Sequence, residues 1–268
     1  DIWNDLTKKM GYWVDVDNPY ITYTPKYMES VWWLLKEIYN KDLMYKGYTI
    51  QPYSPKAGTA ISSHELNQPG TYQDVTDTTV TAQFKLKKEE LPKFLNSDDD
   101  IFVLAWTTTP WTLPSNTALT VGPKINYSLI KSFNQYTGLR ADYIVAEDLI
   151  PKQFSGNYYE TSDLDEINKY EFDSKQIPFL KISTFKGEDL ENIQYEQLLD
   201  YAKPFDNPEN AFRIITGDFV TTSDGTGIVH TAPTFGADDA FVAKNAKPPI
   251  PPMSVSYTHL TLPTTLNV

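Results

Sequence analysis

Residues 101–106, IFVLAW, form an unbroken apolar run that leads directly into three threonines and a proline. A short run of this kind predicts a strand that is buried on both faces. Proline has no backbone N–H to donate, so pairing should end by Pro110 and expose the threonine hydroxyls at the rim of a sheet. On a regular strand, Thr107 and Thr109 would face one side and Thr108 the other. The alternative is that threonine simply favours strands.

Strand patterns recur from about residue 78 onward, and they predict the fold class. In VTAQFKL, residues 80–86, apolar and polar residues alternate as on a half-buried strand. Further strands are predicted in INYSLIK, ADYIVA, AFRIITGDFV and GIVHTA, and short helices around residues 147–153 and 162–170. We therefore predict an α+β fold with a barrel-like, mostly antiparallel sheet and short flanking helices.

The clearest long helix lies ahead of this region. Thr24 and Pro25 have the composition of a helix start, with a capping hydroxyl followed by proline in the first turn. Apolar residues then recur at helical spacing, at Met28, Val31, Leu35 and Ile38. The intervening WWL makes the helix apolar nearly all round, so we expect it to pack on two sides.

A second motif, GTGIVHTAPTFGADD, spans residues 225–239. It predicts a turn at Asp224-Gly225, a strand that ends near His230, and a helix that opens at Asp238 and Asp239. A carboxylate in a first helical turn is ordinarily structural, because the helix dipole favours it there. Its functional use would be to accept a hydrogen bond from a ligand's ammonium group. A lone histidine on a strand is likewise more often structural than catalytic.

Composition excludes several classes of site. The 268 residues include no cysteine, so disulfides, thiolate nucleophiles and cysteine-based zinc sites are excluded. They include three histidines. The absence of cysteine fits a reducing compartment. With 23 basic and 35 acidic residues the net charge is −12, which argues against a protein that coats nucleic acid. It still allows contact with the end of an RNA held elsewhere.

Common catalytic signatures are also missing. The sequence contains no GxSxG elbow, no phosphate-binding GxxxxGK[ST] or GxGxxG loop, and no HExxH metal motif. No segment approaches the roughly 18 to 20 apolar residues that a membrane-spanning helix needs. We expect no signal peptide, and because the first residue is Asp1 we expect a segment of a longer protein.

Taken together, WTTTPWTLPSN and GTGIVHTAPTFGADD resemble the editing domain of the isoleucyl-tRNA synthetases, a class I family. The stretches MGYWVD, PYITYTPKYMESVWWLLKEIY and KGYTIQPYSPKAGTAISSHEL resemble the part of the Rossmann-type catalytic domain that leads into that insertion. GEDLENIQYEQLLDY resembles a packing segment within it, although a surface helix is an alternative. The resemblance covers residues 1 to about 247, and TTTPW separates it from the TTRP-type sequences of valyl and leucyl enzymes.

The resemblance implies a function for both motifs. The family's editing site hydrolyses valine from mischarged tRNA(Ile), with a threonine-rich strand that holds the 3′-terminal adenosine and a water. The implied catalytic residues are Thr107, Thr108, Thr109, His230 and Asp239. Asp239 would bind the α-ammonium group, and His230 would limit the size of the side chain. Residues implied to line or support the pocket are Trp106, Trp111, Asn116 and Asp238.

The resemblance also implies boundaries and partners. We predict a catalytic-domain segment at 1–78, a C-terminally truncated editing domain at 79–250, and an unstructured or non-native tail at 251–268. The implied partners are the tRNA(Ile) 3′ end, misacylated valine and the rest of the synthetase, in a cytoplasmic monomer. Editing needs no cofactor or metal. ATP serves the parent enzyme, but its signatures HIGH and KMSKS are absent here, so this segment should not form an aminoacyl-adenylate.

Two other functions remain open at this stage. The segment could be a non-catalytic module that docks an RNA end or a protein, since the catalytic core is missing. It could also be an editing domain of the valyl or leucyl type, which TTTPW disfavours.

Overall fold

The computed structural model describes residues 2–46, 50–54, 56–74, 76–172 and 174–254. The chain divides into two compact units, residues 1–49 and 50–268. The predicted boundary between catalytic and editing segments at residue 78 stays a prediction. None of the helices in the described ranges is long and apolar enough to span a membrane.

The first unit contains two helices, α1 (Ile2–Lys9) and α2 (Pro25–Asn40). The predicted helix after Thr24 is therefore confirmed, with Pro25 in its first turn. The capping prediction is wrong, because the Thr24 hydroxyl donates to the Ile21 carbonyl at 3.1 Å instead of bonding the helix end. No residue of α2 is buried, so the predicted two-sided packing is not seen within the described residues.

The second unit is built mainly from strands. Its elements in chain order are β1 (Tyr53–Ser54), β2 (Thr59–Ala60), α3 (Ser63–Leu66), β3 (Val80–Lys85), β4 (Ile101–Thr107), β5 (Ala118–Val121), β6 (Asn126–Phe133), β7 (Arg140–Ala146), α4 (Ile150–Gln153), β8 (Tyr158–Glu160), α5 (Leu164–Lys169), β9 (Ile177–Lys186), β10 (Arg213–Thr216), β11 (Ile228–Thr231) and α6 (Ala237–Asn245). Every predicted strand and short helix has a counterpart here. The sequence patterns missed the short strands β1, β2, β5 and β8 and the longer β9.

The strands form a six-stranded sheet in the order β3-β4-β7-β6-β9-β8, a three-stranded sheet in the order β10-β5-β11, and the hairpin β1-β2. Five strand pairs are antiparallel, and β10-β5, β4-β7 and β8-β9 are parallel. The predicted α+β, mostly antiparallel fold is thus confirmed. Neither larger sheet closes on itself among the described residues, so the arrangement is barrel-like without being a closed barrel.

A buried tyrosine connects the two larger sheets. Tyr127 on β6 is fully buried; its hydroxyl donates to the Gly227 carbonyl at 2.6 Å and accepts from the Gly122 N–H at 2.9 Å. Gly227 leads into β11, and Gly122 follows β5. The β11 strand is therefore held against the core, and the end of β4 lies beside it: the Trp106 N–H donates to the Thr226 hydroxyl at 3.2 Å.

Two predicted segments differ from expectation. GEDLENIQYEQLLDY is not a surface helix: after a short 3-10 turn at Gly187–Leu190 it runs irregularly and buries Tyr195 completely. In the predicted tail, residues 251–254 pack on the domain, where Met253 is buried and its carbonyl accepts from the Thr234 hydroxyl at 2.8 Å. The remaining tail residues, 255–268, lie outside the described residues.

Candidate functional site

The triple threonine lies where β4 leaves the sheet. Thr107 is the last residue of the strand and pairs with Val80, while Thr108 forms a bend. The Thr109 N–H donates to the Thr107 hydroxyl at 3.0 Å, and the two hydroxyl oxygens are 3.3 Å apart. The strand therefore ends before alternation can send Thr108 to the opposite face, and all three residues border one cavity.

His230 is buried and has a hydrogen-bond partner at each ring nitrogen. Its Nε2 lies 2.8 Å from the Thr112 hydroxyl, and its Nδ1 lies 2.9 Å from the Asn116 side-chain nitrogen. Burial lowers the pKa of His230 to about 4. The ring is accordingly neutral at physiological pH.

The surrounding contacts determine which ring nitrogen carries the proton. The Ala118 carbonyl can only accept, and it lies 2.8 Å from the Asn116 amide nitrogen, which fixes the orientation of the amide. That nitrogen donates to Nδ1, so the histidine proton is on Nε2 and is donated to Thr112. The Thr112 hydroxyl in turn donates to the Thr109 carbonyl at 2.8 Å. Both nitrogens are engaged in this chain, so the ring serves as a wall of the cavity and not as a free base.

Asp239 lies in the first turn of α6, confirming the predicted helix, and it is half-buried. Its Oδ2 accepts from the Ala232 N–H at 2.8 Å, which holds the carboxylate toward the end of β11. Burial raises the pKa of Asp239, the neighbouring Asp238 adds to the rise, and the hydrogen bond from Ala232 opposes it. A β-carbon on Gly236 would come 3.0 Å from the Asp239 carboxyl carbon, so this approach favours glycine.

These residues converge on one cavity of about 420 Å³. It is bordered by six predicted site residues from two chain segments more than a hundred residues apart: Trp106, Thr107, Thr108, Thr109, His230 and Asp239. Hydroxyl groups, a neutral imidazole and a carboxylate thus face a common space. Such a space can hold a small ligand that carries both a cation and hydroxyl groups.

Three predicted site residues do not border the cavity. Trp111 is half-buried, and Asp238 is exposed on α6. Asn116 is buried behind His230 and reaches the site only through that ring. Its place supports a positioning role.

The sequence reasoning missed several residues of the cavity. Thr112 borders the cavity and hydrogen-bonds His230. The sequence contained a signal for it, because a 3-10 turn places the residue three positions after Thr109 on the same side as Thr109. Phe219, Thr226 and Phe235 also border it, and no pattern in the sequence distinguishes them. Among the described residues, no group of three or more histidine and acidic side chains is arranged to hold a metal ion.

Comparison with known proteins gives a consistent picture. A family model described as "tRNA synthetases class I (I, L, M and V)" matches residues 1–207. The chain is 56% identical over 253 residues to an isoleucine–tRNA ligase of Bacteroides fragilis, covering 94% of this chain and 21% of the relative. It is 58% identical over 244 residues to that of Cytophaga hutchinsonii, covering 91% and 21%. The chain therefore spans about a fifth of the length of the curated relatives it matches.

Among solved structures, the crystal structure of GlLeuRS-CP1 overlaps 63% of this chain and 59% of its own, with a TM-score of 0.43 and 17% identity. The Plasmodium knowlesi cytosolic leucyl-tRNA synthetase editing domain overlaps 62% of each chain, with a TM-score of 0.43 and 14% identity. The family match covers most of the chain, and on that ground the chain belongs to the class I tRNA synthetases of the I, L, M and V group.

Proposed function

We propose that the cavity is the editing site of an isoleucine–tRNA ligase and hydrolyses the ester of valine mischarged onto tRNA(Ile). The observation that carries the proposal is the convergence of the threonine cluster, His230 and Asp239 on one cavity. The isoleucine–tRNA ligase relatives support the choice of tRNA(Ile).

Asp239 would bind the α-ammonium group of the aminoacyl ester. Its Oδ2 is oriented by the Ala232 N–H, which leaves Oδ1 for the ligand. A bound ammonium group favours the ionised carboxylate and so opposes the effect of burial on its pKa. Anchoring the amine fixes the ester carbonyl relative to the threonine hydroxyls.

The threonine cluster would hold the terminal ribose and the attacking water. Hydroxyls both donate and accept, so Thr108 and Thr109, both exposed at the strand end, can bond a ribose hydroxyl and a water together. The water attacks the ester carbonyl carbon and the bond to the ribose oxygen breaks. The water's proton passes to that oxygen, and the products are free valine and deacylated tRNA. Orientation of these groups supplies much of the acceleration.

His230 would set the upper size limit of the side chain. Its hydrogen bonds to Thr112 and Asn116 hold the ring in one place, so a longer side chain cannot simply displace it. The binding free energy that distinguishes two side chains differing by one methylene is small, about 1–3 kcal/mol. That figure is known for the isoleucyl enzymes themselves and is not obtained from this structure. A rigid wall that admits valine and clashes with isoleucine complements a synthetic site with that limited selectivity.

The test is deacylation of Val-tRNA(Ile) and Ile-tRNA(Ile) by this chain. We expect hydrolysis of the valyl ester and sparing of the isoleucyl ester. Binding of the RNA without turnover would instead favour a docking module, and preference for another misacylated tRNA would favour an editor of the valyl or leucyl type. As part of an isoleucine–tRNA ligase, the chain would act with the remaining domains and tRNA(Ile) in a monomeric cytoplasmic enzyme. Its synthetic reaction would use ATP.

A further inference from the structure

A second cavity, of about 280 Å³, lies on one face of the six-stranded sheet. Its floor is a row across three strands, Gln83, Leu104 and Tyr143. Gln83 pairs with Leu104, and Tyr143 pairs with Phe102. Because Phe102 and Leu104 are two residues apart on β4, the side chains of Gln83, Leu104 and Tyr143 all point to the same face. Gln153 at the end of α4 and Phe154, which follows it, form one side of the cavity, and the turn at residues 134–136 forms another.

The chemistry of this cavity is polar but uncharged. None of the described residues that line it carries a formal charge, and its lining includes four side-chain amides and four aromatic rings. Tyr143 is 97% buried and lines the floor of the cavity. Burial raises the pKa of Tyr143, so the hydroxyl remains a donor. Neutral donors and acceptors beside aromatic rings match the edge and face of a nucleobase, whereas an ionic ligand would find no counter-charge.

The two cavities adjoin along β4. Leu104 lines the second cavity, and Trp106, two residues further on the same face and about 7 Å away, lines the first. Gln153 of the second cavity donates to the carbonyl of Gly225, which lines the first, at 2.9 Å. A ligand longer than the first cavity that lies along this strand would reach the second.

A cation lies at this boundary. Lys152, next to Gln153 on α4, forms an ion pair with Asp224, which borders the first cavity. Both side chains are more than half exposed. An exposed pair of this kind contributes little stability, so the ammonium group can turn to a phosphate at low cost.

We propose that the second cavity binds the unpaired nucleobase of the nucleotide that precedes the esterified adenosine. The inference rests on the proposed function, which puts the adenosine ester in the first cavity. The base lies over the Gln83, Leu104 and Tyr143 floor, and bonds the Tyr143 hydroxyl and the amides. Tyr136, whose ring is 82% exposed at the rim, stacks on it. Lys152 contacts the phosphate between the two nucleotides.

The experiment compares two substrates of different length. The valyl ester of adenosine occupies only the first cavity, and the valyl ester of a dinucleotide ending in adenosine reaches the second. We expect Tyr136→Ala and Tyr143→Phe each to lower kcat/KM for the dinucleotide ester about tenfold and to leave the adenosine ester unchanged. Tyr201→Ala is the matched control, since this exposed tyrosine lines neither cavity. Equal losses on both substrates, or no loss on the dinucleotide, would overturn the proposal.

Failure of the proposed function gives a different result. If the unsubstituted chain hydrolyses neither ester, binding of the free dinucleotide and of adenosine is measured by calorimetry. The second-cavity proposal then stands if the dinucleotide binds more tightly and Tyr136→Ala removes about tenfold of that affinity. It fails if the dinucleotide binds no more tightly than adenosine.

Discussion

The amide nitrogen of Asn116 donates to Nδ1 of His230 across 2.9 Å, although 114 residues separate the two in the chain. This contact makes the histidine of the cavity wall a neutral ring with its proton on Nε2. Tyr195 holds the same orientation of Asn116 from behind, together with the Ala118 carbonyl, because its hydroxyl donates to Oδ1 at 2.6 Å. The rigidity of the cavity wall therefore depends on a residue that lies outside the cavity.

Tyr195→Phe tests this dependence. The substitution keeps the buried ring and removes one hydroxyl, which leaves the Asn116 Oδ1 buried without its donor. We expect the free energy of unfolding in urea to fall by about 1–3 kcal/mol. In ¹⁵N spectra of His230, we expect the Nε2–H tautomer to lose its dominance. Tyr201→Phe, at an exposed site, should change neither quantity; a normal His230 spectrum in Tyr195→Phe would show that Asn116 needs no support.

The buried neutral His230 also makes stability depend on pH. Its pKa is about 4 in the folded chain and about 6.5 when unfolded, so the unfolded state takes up the proton first. The stability that the neutral His230 ring allows is fully present above pH 6.5 and is lost as the pH falls toward 4. Between pH 7 and 4.5 we expect a loss of about 2–3 kcal/mol in unfolding free energy.

The matched comparison is His230→Gln, which carries no titrating ring. Carboxylates such as Asp239 titrate in both proteins, so the difference in unfolding free energy between them isolates the histidine. That difference should shrink as the pH is lowered from 7 to 4.5. A constant difference would contradict a buried, uncharged ring.

Local patterns were sufficient to predict most of the strands. Alternation over residues 80–86 and the apolar run at 101–106 correspond to β3 and β4, because each pattern reports burial on strand faces directly. The ten-residue β9 was missed because it changes environment along its length. It begins with Ile177 and Phe179 buried around a proline and continues through exposed Lys181 and Ile182, so no single period describes it.

The site was predicted less completely than the fold. The two motifs identified the threonines, His230 and Asp239, but their convergence depends on long-range pairing that local patterns do not encode. Thr108 shows the limit of periodicity: alternation put it on the far face, and the bend after β4 turned it to the cavity. Tyr195 had no signal at all, since it lies in an irregular segment whose spacing fits neither helix nor strand.

Asp239→Asn should separate function from stability. The amide keeps the size of the side chain and can still accept from the Ala232 N–H, but it cannot neutralise an ammonium group. We expect kcat/KM for Val-tRNA(Ile) to fall about a hundredfold or more. Asp238→Asn, one residue away, exposed and outside the cavity, should keep its activity. Equal losses in the two variants would remove Asp239 from its anchoring role.

The same variant should unfold less readily near neutral pH. Burial raises the pKa of Asp239, so the folded chain carries a penalty for the ionised carboxylate. That penalty is fully present above the raised pKa and disappears below the unfolded value of about 3.8, so the gain from asparagine should disappear there too. Urea unfolding at pH 7 and at pH 3 measures the stability difference between the two proteins above the raised pKa and below the unfolded pKa. A loss of stability at pH 7 would mean that the carboxylate supports the fold, and the loss of activity would then have a structural explanation.

His230→Ala should widen the cavity and relax its selectivity. The ring is 6% exposed and hydrogen-bonded at both nitrogens, so its removal leaves space that the locked neighbours Thr112 and Asn116 cannot readily fill. We expect the rate ratio of Ile-tRNA(Ile) to Val-tRNA(Ile) deacylation to rise about ten- to two-hundredfold, the discrimination that one methylene provides.

A ratio measured on one preparation is insensitive to any unfolded fraction, which matters because the variant also loses packing. His64→Ala, at an exposed site, serves as the control. Continued sparing of the isoleucyl ester would assign the size limit to another part of the wall, such as Phe219 or Phe235.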